Sequence, residues 1–206
     1  MLNLAILISG RGSNMDSILK ALKERKIAGV SPRVVISDKP DAPGLRIASE
    51  KYNVPVQVLA ANGRRGWEYD SKLVALLEKF GVTEQSGLIC LAGFMRLLSP
   101  EFVSRYPMRI LNIHPALLPA FPGLHAQRQT IEYGAKVSGC TVHFVDRGTD
   151  TGPVIIQQAL QVNESDNEES LSARILELEH DAYPKAVQLF ADGKLKVNGR
   201  KVLVQP

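Results

Sequence analysis

The chain has 206 residues, of which 45% are apolar and 22% charged, a composition typical of a globular protein rather than a disordered one. Its net charge of +4 comes without a block of like charges, which argues against a dedicated nucleic-acid surface. The N-terminal run MLNLAILISG lacks the features of a signal peptide, and no apolar run is long enough to span a bilayer. We therefore expect a cytoplasmic protein that binds neither nucleic acid nor membrane.

Strand and helix patterns alternate through the first half of the chain. Continuous apolar runs predict strands at Leu4–Ser9, Arg33–Ser37, Pro55–Leu59 and Gly87–Leu91. Apolar stripes at helical spacing predict helices at about Ser13–Lys26, Pro43–Tyr52 and Trp67–Phe80. Buried strands separated by helices indicate a parallel sheet that is covered on both sides.

The second half has a different pattern, with strands joined by connections too short for a helical crossover. The predicted elements are strands at Arg109–Ile113, Thr141–Asp146 and Pro153–Val162, a helix at Leu171–Phe190, and strands at Lys194–Val197 and Lys201–Val204. Asn198-Gly199-Arg200 is a hairpin turn signal between the last two strands. The whole predicts one α/β domain over residues 1–206: a Rossmann-like open mixed sheet, parallel in its N-terminal half, with antiparallel strands in its C-terminal half and helices on both faces.

A glycine turn, ISGRGSN, lies between the first strand and the first helix. Gly10 and Gly12 permit positive φ angles, and Ser13 or Asn14 could cap the helix. Backbone N–H groups at such a helix start favour a phosphate group, although a capped turn without a ligand is an equal alternative. Dinucleotide binding is disfavoured, because Met15 stands where the fingerprint requires its third glycine.

Two polar side chains end the strand in the segment MRILNIHP. Asn112 and His114 are two residues apart and project to the same side of a strand. An asparagine amide can donate to a developing oxyanion, and a histidine can move a proton near neutral pH. The alternative is a structural histidine with an asparagine that caps the next turn.

Two loops could complete a site around this strand end. Pro115, Pro119 and Pro122 stiffen the loop that follows His114, and Leu118–Pro119 is a candidate cis bond. In the loop DRGTDTGP, a carboxylate from Asp146 or Asp150 near His114 would orient the imidazole. Spacing alone does not place this loop beside His114, so solvated aspartates are the alternative.

The two cysteines, Cys90 and Cys140, each lie in an apolar strand-like run. Buried free thiols are the simpler interpretation, and neither cysteine has the spacing of a zinc site. We therefore expect no metal.

Five ordered segments are similar to a known family: LISGRGSN, LAGFMRLLSPEFV, LNIHPALLPAFPGLHA, GCTVHFVDRGTDTGPVI and LEHDAYPKAV. Together they closely resemble the phosphoribosylglycinamide formyltransferases (glycinamide ribonucleotide transformylases) of purine biosynthesis, from about Leu4 to Gly193. The resemblance implies transfer of a formyl group from 10-formyltetrahydrofolate, as co-substrate, to the amine of glycinamide ribonucleotide. It also implies a phosphate-binding half, 1–100, and a catalytic and folate-binding half, 101–206, in a monomer or homodimer.

The resemblance also assigns roles to individual residues. It implies that the catalytic residues are Asn112, His114 and Asp150. The substrate phosphate would be held by Gly12, Ser13 and Asn14, and the substrate ribose by Glu179. The folate would be bound by Met95, Arg96, Leu97, Leu98, Asn112 and Arg65. Two of these assignments have plainer alternatives: FMRLL as core packing, and Glu179 on a solvated helix face.

This sequence departs from the family pattern at two places. Gly66 stands where the family has a folate-contacting arginine, and the adjacent Arg64 and Arg65 could substitute for it. Ala116 replaces a common serine, which leaves the proposed chemistry unaffected.

Other functions remain as alternatives. Formyltetrahydrofolate hydrolase usually has an extra N-terminal domain, and methionyl-tRNA formyltransferase a C-terminal RNA-binding domain. We expect neither domain here. A non-catalytic nucleotide-binding module would have no reason to combine Asn112, His114 and Asp150. A nicotinamide-dependent oxidoreductase is disfavoured by Met15.

Overall fold

The computed structural model describes residues 1–205. The chain divides into two compact units, Met1–Asn112 and Ile113–Pro206. The division falls inside a strand, beyond the boundary between residues 100 and 101 that the resemblance implied. The single formyltransferase domain over residues 1–206 stays a prediction.

Nine strands are found among the described residues. They are β1 Leu2–Ile8, β2 Val30–Ser37, β3 Val56–Val58, β4 Gly87–Leu91, β5 Ile110–His114, β6 Val137–Phe144, β7 Val154–Gln161, β8 Leu195–Asn198 and β9 Lys201–Val204. Their order in the sheet is β3-β2-β1-β4-β5-β6-β7-β9-β8. The predicted α/β class with a mixed sheet is confirmed.

The helices include two that the sequence analysis missed. They are α1 Ser13–Lys23, α2 Pro43–Arg46, α3 Gly66–Lys79, α4 Pro100–Arg105, α5 Ala126–Tyr133 and α6 Glu168–Ala191, and α2 continues into a π-helical segment, Ile47–Lys51. The missed helices, α4 and α5, are short, and α5 follows His125, which has a positive φ and provides no side-chain cap. None of the described helices is long and apolar enough to cross a membrane.

The strands of the first unit are parallel, as the alternating pattern predicted. β1 pairs with β2 on one side and with β4 on the other, and every residue of β4 is buried. Since the strand order reverses between β1 and β4, this pair forms the topological switch point. Ligands of open α/β sheets bind at the carboxyl ends of such strands. The glycine turn follows β1, and FMRLL follows β4.

The second unit combines antiparallel and parallel pairing. β6 pairs antiparallel with β7, and β8 pairs antiparallel with β9 around Gly199 and Arg200, as predicted. In addition, β9 pairs parallel with β7 at Val154 and Lys201, a pairing that the sequence did not predict. Turn signals predict a hairpin but not the strand on which it docks.

Helix α6 begins earlier than its apolar stripe predicted, because a capping box fixes its start. The Asn167 Oδ1 accepts from the Ser170 N–H at 2.9 Å, and the Ser170 Oγ accepts from the Asn167 N–H at 3.0 Å. These bonds satisfy backbone donors that a helix leaves without partners at its first turn.

Replacing Asn167 by alanine is expected to lower the free energy of unfolding by about 1 kcal/mol, because the helix loses its N-cap. Urea denaturation measures this change. The control is Asn163→Ala, since exposed Asn163 bonds Asp166 through its backbone N–H. Equal stability of the two variants would contradict the capping role.

Candidate active site

The strand β5 supplies the two polar side chains that the sequence singled out. His114 is buried and Asn112 is partly buried, whereas Leu111 and Ile113 alternate with them as buried apolar residues. Because side chains alternate along a strand, Asn112 and His114 leave it on the same side. The strand ends before Pro115, as predicted.

The His114 imidazole lies between two oxygen atoms of the second unit. Its Nε2 is 2.8 Å from the Phe121 carbonyl oxygen, and its Nδ1 is 3.4 Å from the Asp150 Oδ2. A neutral imidazole donates from one nitrogen only, whereas an imidazolium donates from both. This arrangement therefore accommodates the protonated ring.

The Asp150 carboxylate is held by several groups. Its Oδ2 accepts from the Gly123 N–H at 2.8 Å, and its Oδ1 lies 3.7 Å from the Nε2 of buried His143. The Asp150 backbone has φ 54°, in the left-handed region that residues other than glycine rarely adopt. The structure thus brings Asp150, one of the two aspartates that the sequence left open, to His114.

The other aspartate of this loop, Asp146, binds its own loop instead. Its Oδ1 accepts from the Gly148 N–H at 3.0 Å and from the Thr151 hydroxyl at 2.6 Å. The two aspartates have different roles because one carboxylate closes the loop while the other points to the histidine.

The proline loop after His114 is tied to the neighbouring strands, and its candidate bond, Leu118–Pro119, is cis. The buried Thr141 hydroxyl donates to the Ala116 carbonyl at 2.7 Å and accepts from the Leu118 N–H at 3.0 Å. The Gln157 side chain donates to the Leu118 carbonyl at 2.8 Å. These bonds fix the segment that carries the Phe121 carbonyl, and the sequence analysis did not identify them.

The glycine turn starts α1 without a side-chain cap, so the predicted cap by Ser13 or Asn14 is wrong. Gly12 is the N-cap, with φ 73°, and both predicted caps lie inside the helix. A Cβ on Gly12 would come within 3.0 Å of the Gly44 Cα. The first helical bond runs from the Asp16 N–H to the Gly12 carbonyl at 2.8 Å, which leaves the preceding N–H groups directed out of the helix.

Ser9 connects the ends of β1, β2 and β4. Its hydroxyl donates to Asp38 at 2.6 Å and accepts from the Met95 N–H at 2.8 Å, and its N–H donates to the Gly93 carbonyl at 3.0 Å. Asp38 is buried in this network. The Asp38 carboxylate therefore helps to hold the switch point together.

The segment of residues 95–98 is not ordinary core. Met95 is 66% exposed and Leu97 is 79% exposed, so the core-packing alternative is wrong for both, while Leu98 is partly buried. The Arg96 guanidinium lies over the Tyr69 ring, 4.0 Å from its centroid. Exposed apolar side chains beside the β4 end are suited to contact a flat apolar ligand.

The two arginines near α3 differ in how they are held. The Arg64 side chain donates to the Ala60 carbonyl at 2.8 Å, and its own carbonyl accepts from Arg96 at 2.9 Å. Arg65 is exposed and is the N-cap of α3, which begins at Gly66. Arg65 is therefore the more accessible of the two.

Glu179 and the two cysteines are all buried. Glu179 is 7% exposed on α6, so the solvated-face alternative is wrong. Burial, followed by the negative charge of Glu179, raises the pKa of the Cys140 thiol to about 12. Cys90 and Cys140 are buried free thiols, as predicted. No group of three or more metal-ligating side chains is found among residues 1–205.

A comparison with protein families identifies the family of this chain. The sequence pattern of the family described as formyl transferase matches residues 2–187. The chain belongs to the formyl transferase family.

Individual relatives of this formyl transferase agree with the family assignment. It is 43% identical to phosphoribosylglycinamide formyltransferase of Escherichia coli K12, over 96% of this chain and 91% of the relative. It is 39% identical to the Bacillus subtilis 168 protein with the same name, over 91% of this chain and 94% of the relative. The crystal structure of glycinamide ribonucleotide transformylase 1 from Symbiobacterium toebii superimposes with a TM-score of 0.94, at 45% identity, and the match covers 100% of this chain and 95% of that one.

His143 of this formyl transferase was not among the residues predicted from the sequence. His143 lies in β6, where its Nδ1 is 2.8 Å from the Phe144 carbonyl oxygen. The available signal was a polar residue with an apolar residue on each side in the strand segment TVHFV, two positions after Thr141. Period-two spacing puts Thr141 and His143 on the same side of the strand.

The free energy of unfolding of this formyl transferase is expected to decrease as the solution becomes more acidic, and His143 is one cause of this decrease. Burial lowers the pKa of His143, while the charge of Asp150 opposes the shift and that of His114 adds to it. The unfolded chain therefore binds a proton more readily than the folded one, and the free energy of unfolding decreases as the pH falls below about 6.5. His143→Gln should show a shallower decrease between about pH 7 and pH 5 in urea denaturation.

The exposed His125 provides the matched control for this experiment. His125→Gln should keep the pH dependence of the unmodified protein, because it leaves the buried His143 in place. An unchanged slope in His143→Gln would show that His143 does not contribute to the acid sensitivity.

Proposed function

We propose that this formyl transferase moves the formyl group of 10-formyltetrahydrofolate to the amine of N1-(5-phosphoribosyl)glycinamide. The observation that supports this most is the His114 imidazole held between Asp150 and the Phe121 carbonyl, two residues after Asn112 in β5. The relatives named above are phosphoribosylglycinamide formyltransferases, and their identity extends over most of this chain.

In the proposed reaction, the neutral amine attacks the formyl carbon and the carbonyl oxygen becomes an oxyanion. The Asn112 amide and protonated His114 stabilise that charge by donating hydrogen bonds. Asp150 supports the imidazolium through Nδ1. Protons then pass from the attacking amine to the departing folate nitrogen, through water where no side chain reaches.

The Phe121 carbonyl oxygen is the hydrogen-bond partner of His114 Nε2 in this structure. Since Nδ1 faces Asp150, Nε2 is the nitrogen that can donate to the formyl oxygen. We infer that the formyl oxygen replaces the Phe121 carbonyl as the Nε2 partner, so that the imidazole exchanges one acceptor for another without being left unpaired.

The substrate-binding residues are proposals on the same basis. Gly12, Ser13 and Asn14 would hold the phosphate through N–H groups at the start of α1. The buried carboxylate Glu179 would accept from ribose hydroxyls, and residues 95–98 with Asn112 would line the folate. Exposed Arg65 has the charge to bind a folate carboxylate. The cytoplasmic location and the monomeric or homodimeric state stay predictions.

An absorbance assay for the folate product tests this proposal. Purified enzyme is given 10-formyltetrahydrofolate with and without glycinamide ribonucleotide, alongside His114→Ala. We expect product only when the acceptor is present, and strongly reduced product with the variant. Equal product without the acceptor would indicate hydrolysis, and no product in either case would overturn the proposed function.

A further inference from the structure

The loop between β6 and β7 holds Asp150 in a conformation that needs support. Asp150 has φ 54°, and such a conformation costs about 1 kcal/mol or more for a residue with a side chain. Its carboxylate nevertheless has to meet His114 at 3.4 Å and the Gly123 N–H at 2.8 Å. Something in the surrounding loop therefore has to stabilise this backbone conformation.

The C-terminal side of the loop is fixed by close packing. A Cβ on Gly152 would overlap the Phe144 carbonyl oxygen, and the Phe144 N–H donates to the Pro153 carbonyl at 2.9 Å. The Arg200 side chain donates to the Thr151 carbonyl at 2.9 Å. These contacts hold the residues that follow Asp150. They do not involve residues 147–149, which form the outer part of the loop.

Asp146 supplies the support from the other side. Its Oδ1 accepts both the Gly148 N–H and the Thr151 hydroxyl, at 3.0 and 2.6 Å. The Thr151 bond reaches across residues 147–150 and closes them into a ring whose two ends are Asp146 and Thr151. A hydrogen bond to a carboxylate is stronger than one between neutral groups, so this closure is well suited to hold a strained residue inside the ring.

We propose that Asp146 is a positioning residue, which through Thr151 keeps Asp150 in the left-handed conformation that faces His114. This inference rests on the proposed formyl transfer. Asp146 does not touch the substrate; it restricts the loop so that the Asp150 carboxylate is already in place when the imidazole carries its charge. Small displacements of a catalytic group reduce the rate of the chemical step more than they reduce substrate binding.

The test compares kcat and KM in four single variants and one double variant. Asp146→Ala should lower kcat by about 10- to 100-fold, with the KM of both substrates within about twofold of the unmodified enzyme. Asp146→Asn keeps the oxygen acceptor and should recover most of the lost kcat. Thr151→Val removes the hydroxyl donor and should resemble Asp146→Ala, whereas Thr149→Val, a matched change in an exposed residue of the same loop, should leave both constants unchanged.

The double variant Asp146→Ala/Thr151→Val should be no slower than the poorer single variant, because both changes remove the same bond. Thermal melting of each variant separates loss of fold from loss of kcat. An unchanged kcat in Asp146→Ala, a KM increase at constant kcat, or fully additive losses in the double variant would each overturn the proposal. Absence of acceptor-dependent product from the unmodified enzyme would instead overturn the proposed function.

Discussion

Replacing Asn112 by alanine is expected to lower kcat by about 100- to 1,000-fold, the usual cost of losing one oxyanion donor. In the proposed reaction, the Asn112 amide donates to the oxygen that gains negative charge. Alanine removes the donor without introducing a new charge, so the KM values should change much less than kcat. Acceptor-dependent release of the folate product measures both constants.

The control for this substitution is Asn163→Ala, an exposed asparagine outside the site. It should turn over at the unmodified rate. A purified and folded Asn112→Ala enzyme that works at nearly the unmodified rate would contradict the role proposed for Asn112 and leave His114 with Asp150 as the remaining candidates.

Replacing Gly139 by alanine is expected to destabilise the second unit by about 3 kcal/mol or more. Gly139 pairs with Ala159 between β6 and β7, and an added Cβ would overlap the Gln158 carbonyl oxygen. The Cβ would also lie 3.0 Å from the Ala159 Cα. All these atoms belong to the backbone, so the clash cannot be relieved by a change of side-chain rotamer.

The neighbouring Ser138 offers a matched control with the opposite expectation. It is 3% exposed, and its Oγ has no hydrogen-bond partner among residues 1–205. Ser138→Ala removes a buried hydroxyl that is not compensated, so the free energy of unfolding should stay equal or rise by about 1 kcal/mol. Urea denaturation of both variants tests the pair. A tolerated Gly139→Ala would show that the two strands can separate locally.

The parts of the fold that follow from hydrophobic pattern were predicted from the sequence. β4 is an uninterrupted apolar run because both of its faces are covered, and such a run can be recognised without a structure. The start of α1 at Ser13 was predicted correctly, but the residue that caps it was not. Ser13 and Asn14 have side chains suited to capping, but left-handed Gly12 takes the N-cap position, and this choice depends on the close approach of Gly44.

The geometry of the candidate site required the structure. Strand alternation predicted that Asn112 and His114 share one side, because that relation is local. The approach of Asp150 to His114 depends on loops that are distant in the chain, and the preference for Asp150 over Asp146 depends on hydrogen bonds within a loop. His143 was missed because a single polar residue inside an apolar strand is usually a structural one.

The placement of the cysteines gives each compact unit a built-in reporter of its unfolding. Cys90 lies in β4 of the first unit and Cys140 in β6 of the second, and both thiols are buried. Since the thiolate is the reactive form, a thiol with a pKa of about 12, such as Cys140, resists alkylation near neutral pH while its strand stays folded. Mass spectrometry after brief exposure to an alkylating reagent can therefore follow how each half of the molecule opens, without an added label.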